Sequence, residues 1–245
     1  MKLQRWLLKA AAAPFALSGP CLANAAPLIA IDVGHSRSNP GAISARGVPE
    51  FEFNAALANV VQETLSSRGT RVVQIAGDGN MPFLQTRTAA ARARGATFFL
   101  SIHHDSGQPR YLEQWEWEGV ARQYIDRFSG FSLFVSRRNP QLAASLRCAG
   151  RIGAALRQQG LHPTPHHAEK IPGESKQWAD RQNGVYYYDN LAVLKTASMP
   201  AVLLEAGVIL NRVEEQQVQE PGMRNRIAAA IERGLSDCGV ARKHP

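Results

Sequence analysis

The chain has only three cysteines in 245 residues. None stands in a C-x-x-C or similar spacing, which excludes a thiolate zinc module and a thioredoxin-like redox motif. Long apolar runs are also lacking. The one near the amino terminus is short and is broken by Pro14, Gly19 and Pro20, so no stable membrane span is expected. Aromatic residues make up 7% of the chain and are not interleaved with a basic stripe, which leaves nucleic-acid recognition without its electrostatic footprint. No internal repeat, linker or second domain is visible. Acidic residues are in deficit, 20 against 28 Lys and Arg; such a balance usually means a solvated basic surface, and it also suits attraction to an anionic polymer.

What is present begins with an export signature. Lys2, Arg5 and Lys9 precede an Ala/Leu/Phe stretch that ends at Ala23-Asn24-Ala25, a small-x-small cleavage pattern. Residues 1–25 are therefore expected to be a removed signal peptide and residues 26–245 the working domain, in a periplasmic or otherwise extracytoplasmic compartment. Proline directly before Cys21 argues against a lipoprotein. Removing the three basic residues of the leader takes the formal charge from +8 to about +5. Cys148 and Cys238 remain, a pair that an oxidising compartment allows to bridge, with two buried thiols as the alternative.

The rest alternates between short apolar runs and helical stripes. LIAID at 28–32, RVVQI at 71–75, TFFLSI at 97–102, FSLFV at 131–135 and AVLL at 201–204 read as strands. Residues 51–65, 84–94, 142–159 and 223–235 read as helices, and 185–194 as two short β-rich pieces. This alternation predicts a single α/β domain, a twisted, mostly parallel sheet flanked by helices on both faces. Two long connections interrupt it, 108–130 and 161–184, and such loops often line active sites.

Sites in open α/β sheets gather at the carboxyl ends of strands. Three predicted strands end there in polar residues: the first in Asp32-Val-Gly-His35, the third in His103-His104-Asp105 and the last in Glu205. Glu50 opens the first long helix. A buried strand that ends in an ionisable residue is costly unless that residue meets a partner or a metal. Two imidazoles and one carboxylate form a standard catalytic zinc set, and a further carboxylate can move the proton of an attacking water. Spacing and chemistry together imply a zinc hydrolase and stop there.

The same blocks resemble a known family. IAIDVGHSRSNPGA resembles the D-x-G-H-x-x-x-D-P-G-A opening of the zinc-dependent N-acetylmuramoyl-L-alanine amidases, which include the septal cell-wall amidases. Glu50 and Asn54 resemble that family's E-x-x-x-N, and Arg87 falls where it has a helical arginine. FFLSIHHDS is similar to its F-I-S-I-H-A-N-A, and PAVLLEAGVILN to its P-A-V-L-V-E-x-G-F-I-S-N. The resemblance covers most of the chain after the leader. It implies Zn2+ as cofactor, His35, Glu50 and His103 as metal ligands and Glu205 as catalytic carboxylate. It also implies cleavage of the amide between N-acetylmuramic acid and the stem peptide's L-alanine.

The expected partner is peptidoglycan, with a monomeric enzyme and room for a protein activator. A stem-peptide carboxypeptidase would draw two ligands from a close H-x-x-E pair, which is absent. A wall-binding module that only kept the fold would have lost a ligand, and none is lost. Departures from the pattern are Asn39 for an aspartate, Ser36-Arg37 for glycines and His104-Asp105 for Ala-Asn.

Other residues have softer roles. His104 should point away from His103 in an extended strand, facing substrate or supporting a ligand without being one. Asp32 is expected to orient a ligand or cap a turn, and Asn54 to support the loop above its helix. His162, His166 and His167 lie in a Pro-rich loop where solvent-facing imidazoles are expected rather than a second metal site. In some septal relatives an inserted helix covers the zinc with a glutamate. Glu113, Glu116 and Glu118 are the candidates for that here, with an aromatic lip or a structural flap as alternatives.

Overall fold

The computed structural model describes residues 26–242; the expected signal peptide lies outside them. Apolar side chains alternate across β1 (Leu28–Val33) and β3 (Phe98–Asp105), because successive strand residues face opposite sides of a sheet. Ile29, Ile31, Val33, Phe98, Leu100 and Ile102 face one hydrophobic layer, while Ala30 and Phe99 face the other. Every residue of β1 is buried, as a sheet covered on both faces demands.

Seven strands form the main sheet, in the order β2-β1-β3-β9-β6-β8-β7. Beyond β1 and β3 these are β2 (Arg71–Ile75), β6 (Ser132–Val135), β7 (Trp178–Asp180), β8 (Val185–Tyr187) and β9 (Ala201–Val208). The pairs β1–β2, β1–β3, β3–β9 and β6–β8 are parallel. The pairs β6–β9 and β7–β8 are antiparallel, so the sheet is mostly parallel, as the alternation predicts. The helices α1 (Glu50–Ser67), α3 (Leu142–Gln158) and α6 (Pro221–Asp237) cover one face. The shorter α2 (Leu84–Ala93) and α4 (Ala192–Lys195) cover the other, and α5 (Glu214–Gln219) precedes α6.

One expectation needs correction, and one open choice is narrowed. The second half of 185–194 is not extended: after the turn at Asp189-Asn190 the chain forms α4, which closes the thin side of the sheet with Val193 and Leu194. Of the alternatives for the 108–130 connection, an inserted helix is not the one found. The connection is a hairpin, β4 (Glu113–Trp117) and β5 (Val120–Tyr124), joined by Glu118 and Gly119, both at positive φ. That geometry is the mirror-image turn that suits a two-residue hairpin. Trp115 anchors it by donating Nε1–H to the Ala45 carbonyl at 3.1 Å, and the Arg46 guanidinium lies over the rings of Trp115 and Trp117.

Cys148 on α3 is bonded to Cys238 at the end of α6, which closes a loop with a sequence separation of 90 residues. The bridge ties two helices of the thick layer that already pack on each other. Replacing both cysteines with serine should lower the unfolding free energy by about 2–5 kcal/mol. Urea denaturation of the double variant checks this, and an unchanged midpoint would show that packing alone holds α3 to α6.

Candidate metal centre and its cleft

Glu50 is the first residue of α1 and is only 4% exposed. A carboxylate suits that position because the amino end of a helix carries partial positive charge. One of its oxygens, Oε2, lies 2.9 Å from His35 Nε2, and the other, Oε1, lies 3.0 Å from His103 Nδ1. The ligand atoms of the three residues all lie within 4.8 Å of one another. Backbone N–H groups of Ala42 and His104 also donate to Glu50, and Asn54 Nδ2 donates to Oε1 at 3.1 Å. Burial on its own would raise the carboxyl. The hydrogen bonds and charges of His103 and His35 outweigh it and hold Glu50 well below the usual carboxylate range.

Two glycines leave room for this packing. A Cβ on Gly34 would fall 2.4 Å from the His103 ring, and one on Gly41, at φ +81, 2.5 Å from Glu50 Oε2. His35 itself sits at φ 67, a left-handed conformation that costs a non-glycine residue about 1–3 kcal/mol. Arg87 holds it there. Its guanidinium donates to the carbonyls of Val33, His35 and Met81 and to Asp32 Oδ1 at 2.9 Å. Ser101 Oγ donates to the other Asp32 oxygen at 2.6 Å. Asp32 therefore acts on the site through Arg87 and the loop that carries His35, not through a hydrogen bond to a histidine.

His104 lies across β3 from His103, as strand alternation requires, and is 3% exposed. Its Nδ1 sits 2.8 Å from Asn54 Oδ1, so it braces the residue that braces Glu50 and does not face substrate. Burial pushes its pKa down to about 4. Asn54 also donates to the Gly34 carbonyl at 3.2 Å, in keeping with support of the loop.

Glu205 pairs in register with His103 across β3 and β9. Both border a cleft of about 540 Å³ that also contains His35 and is walled by Phe83, Leu84, Leu191 and Val193. Glu205 Oε2 is buried and has no hydrogen-bond partner. Burial, then the negative charges of Asp105 and Glu50, raise its pKa well above the ordinary glutamate value. Glu113, Glu116 and Glu118 do not line this cleft, which leaves the aromatic lip and the structural flap as the readings of that stretch. Phe83, 71% exposed, was missed from sequence; the apolar Pro82-Phe83-Leu84 step before a polar helix is the signal that could have found the wall.

The loop histidines also depart from expectation. His162 is exposed, but His166 and His167 are 1% and 6% exposed. They pack between Phe128, Phe134 and Tyr186, with both Nε2 atoms turned toward Asp105. The aromatic neighbours come from β6, β8 and the loop before β6, which no local pattern around Pro163 and Pro165 announces.

A set of two histidines and one carboxylate at strand ends and a helix start, beside a second carboxyl group in an open cleft, defines a single α/β domain with a metal-competent centre. The chain belongs to the N-acetylmuramoyl-L-alanine amidase family, whose model matches residues 29–237. It is 23% identical to the N-acetylmuramoyl-L-alanine amidase AmiC of Neisseria meningitidis over 230 residues, 85% of this chain and 52% of that protein. It thus spans about half the length of that relative. Over 220 residues it is 34% identical to the uncharacterized protein YqiI of Bacillus subtilis, covering 88% of each. The catalytic domain of CwlV, an N-acetylmuramoyl-L-alanine amidase of Paenibacillus polymyxa, matches with a TM-score of 0.64 and 26% identity, over 86% of this chain and 96% of that one.

The buried pair beneath the site makes one expectation concrete. Asp32→Ala leaves Arg87, itself 1% exposed, without its carboxylate. Such a broken buried pair should cost about 3–5 kcal/mol in equilibrium denaturation. A loss under about 1 kcal/mol would mean that the three carbonyls suffice to hold the guanidinium.

Proposed function

We propose that this chain is an exported, zinc-dependent N-acetylmuramoyl-L-alanine amidase that hydrolyses the amide between N-acetylmuramic acid and L-alanine of the peptidoglycan stem peptide. The observation that carries the reading is the convergence of His35, Glu50 and His103 beside an unpartnered carboxyl oxygen of Glu205 in one cleft. The donor set fits zinc. Two imidazole nitrogens and a carboxylate oxygen are its ordinary ligands when one position is left for water, and Gly34 and Gly41 keep the space between them free of side chain. Zinc there would supply a Lewis acid for the amide carbonyl and water acidic enough to lose its proton near neutral pH.

The chain's own residues do the rest. Glu205, whose proton affinity is raised by burial, accepts the proton of the attacking water and returns it to the departing nitrogen of L-alanine. The lactyl carbonyl carbon gains the water oxygen as the C–N bond breaks, leaving a carboxylate on the glycan and a free amine on the peptide. Arg87 and Asn54 keep the loop of His35 in place during turnover. The apolar wall of Phe83, Leu84, Leu191 and Val193 shields one side of the cleft from bulk water and suits the methyl groups of a lactyl–alanyl segment.

Residues 1–25 serve as the signal peptide, and residues 26–245 act outside the cytoplasm as a monomer on the wall. No helix of the described residues is long and apolar enough to cross a membrane. A protein activator would have to work other than by withdrawing a glutamate of the 108–130 hairpin, because none of its glutamates lines the cleft.

Glu205→Ala should lower release of peptide from purified peptidoglycan by about 100-fold or more while metal content is retained. Mass spectrometry of the wild-type digest should show intact stem peptides with a free L-alanine amine and glycan without peptide. Full activity in the variant would remove Glu205 from its role, and truncated peptides would point to a peptidase. Chelation should abolish release, and added zinc should restore it.

A further inference from the structure

A second donor set lies outside the cleft chemistry. Beneath the 161–184 connection, Asp105, His166 and His167 place one ligand atom each within 4.8 Å of one another. Asp105 Oδ2 is 2.7 Å from His167 Nε2 and 3.1 Å from His166 Nε2. Only the His167 contact is aligned as a hydrogen bond, so His166 Nε2 is a buried nitrogen without a partner, pointed at a carboxylate.

Each donor is held from behind. His167 Nδ1 lies 3.0 Å from Glu174 Oε2, and His166 Nδ1 lies 2.7 Å from Thr164 Oγ1. The other Asp105 oxygen accepts from the backbone N–H groups of Ser106 and Gly107. Imidazoles that bind metal through one nitrogen ordinarily engage an oxygen with the other, which fixes ring orientation. Glu174 is in turn fixed by Lys176 and Gln108, and aromatic rings close the sides. The donors repeat the composition of the cleft set in a different setting: the His35 and His103 side chains are 26% and 17% exposed, against 1% and 8% for His166 and His167.

We propose that Asp105, His166 and His167 form a second, structural site for a divalent transition metal, bound through Asp105 Oδ2 and the two Nε2 atoms. Two imidazoles and a carboxylate favour zinc, cobalt or nickel over magnesium or calcium. The site fastens the 161–177 part of the connection to the end of β3, two residues beyond His103. The competing arrangement is a proton in place of the metal, with His167 as an imidazolium between Asp105 and Glu174. It satisfies His167 but leaves His166 Nε2 unpaired.

Metal content separates the two, and it does so without reference to wall hydrolysis. The full-length mature protein is loaded with zinc, freed of loosely bound metal and analysed by elemental mass spectrometry. Wild type should hold two zinc ions per chain, and His35→Ala/His103→Ala should hold one. His167→Gln, the milder change at the buried site, should also hold one. Because that variant disturbs the core, cobalt loading of His35→Ala/His103→Ala gives a second reading: visible d–d absorption should appear there and vanish with Asp105→Asn added. One zinc in wild type, with none and no cobalt spectrum in His35→Ala/His103→Ala, would overturn the proposal and leave the proton-bridged arrangement.

Discussion

Glu50 is a carboxylate taken out of water at the first turn of a helix, and the mouth of the protein is arranged around the need to compensate it. Two imidazoles, two backbone N–H groups and the Asn54 amide all point at its oxygens. They come from the loop after β1, from α1 and from the end of β3. Satisfying one buried charge therefore fixes three segments against each other, and only a near-complete set of donors makes such burial tolerable. The glycines at 34 and 41 follow from the same demand, since a side chain at either would strike the rings or the carboxylate.

A second buried charge pair sets the angle of approach. Asp32 and Arg87 are each about 1% exposed in their side chains, and the guanidinium spends its remaining donors on carbonyls of the loop that carries His35. The pair adds little net stability compared with an apolar replacement. What it supplies is conformation: it stabilises a left-handed histidine that strand geometry alone would not produce. Strand alternation does the rest, placing Asp32, Ser101, His103 and Glu205 on the thin side of the sheet under α2 and α4 and His104 on the thick side against α1.

These features differ in how far they can be read from sequence. Strand ends are legible because an apolar run stopping at His, Asp or Glu marks both a buried strand and its exit, so the alternating sheet, the cleft residues and the opposition of His103 and His104 are all visible in the chain. The hairpin is legible in principle: Trp115 and Trp117 alternate with glutamates ahead of a Glu-Gly turn, a period of two and not of a helix. The short helix α4 has too few residues for a periodic signal. Burial of His166 and His167 had no local sign at all. Their environment is built by Phe134 and Tyr186, which meet only when β6 and β8 pair, and by Phe128 from the loop before β6, and a Pro-rich segment reads as solvent-facing whatever packs on it.

Four carboxyl groups gather near the ends of β1, β3 and β9, and their partners sort them by role. Asp32 meets the Arg87 guanidinium, Glu50 lies against the rings of His35 and His103, and Asp105 faces the Nε2 atoms of His166 and His167. Glu205 has no cation or hydrogen-bond donor in contact, and it feels the residual charge of both Asp105 and Glu50. A carboxyl group so placed gains little from being charged, which raises its affinity for a proton well above that of an ordinary glutamate. Of the four, Glu205 is the carboxyl group with a buried oxygen that no side chain or backbone donor meets, whereas Arg87 or a histidine stands against each of the other three.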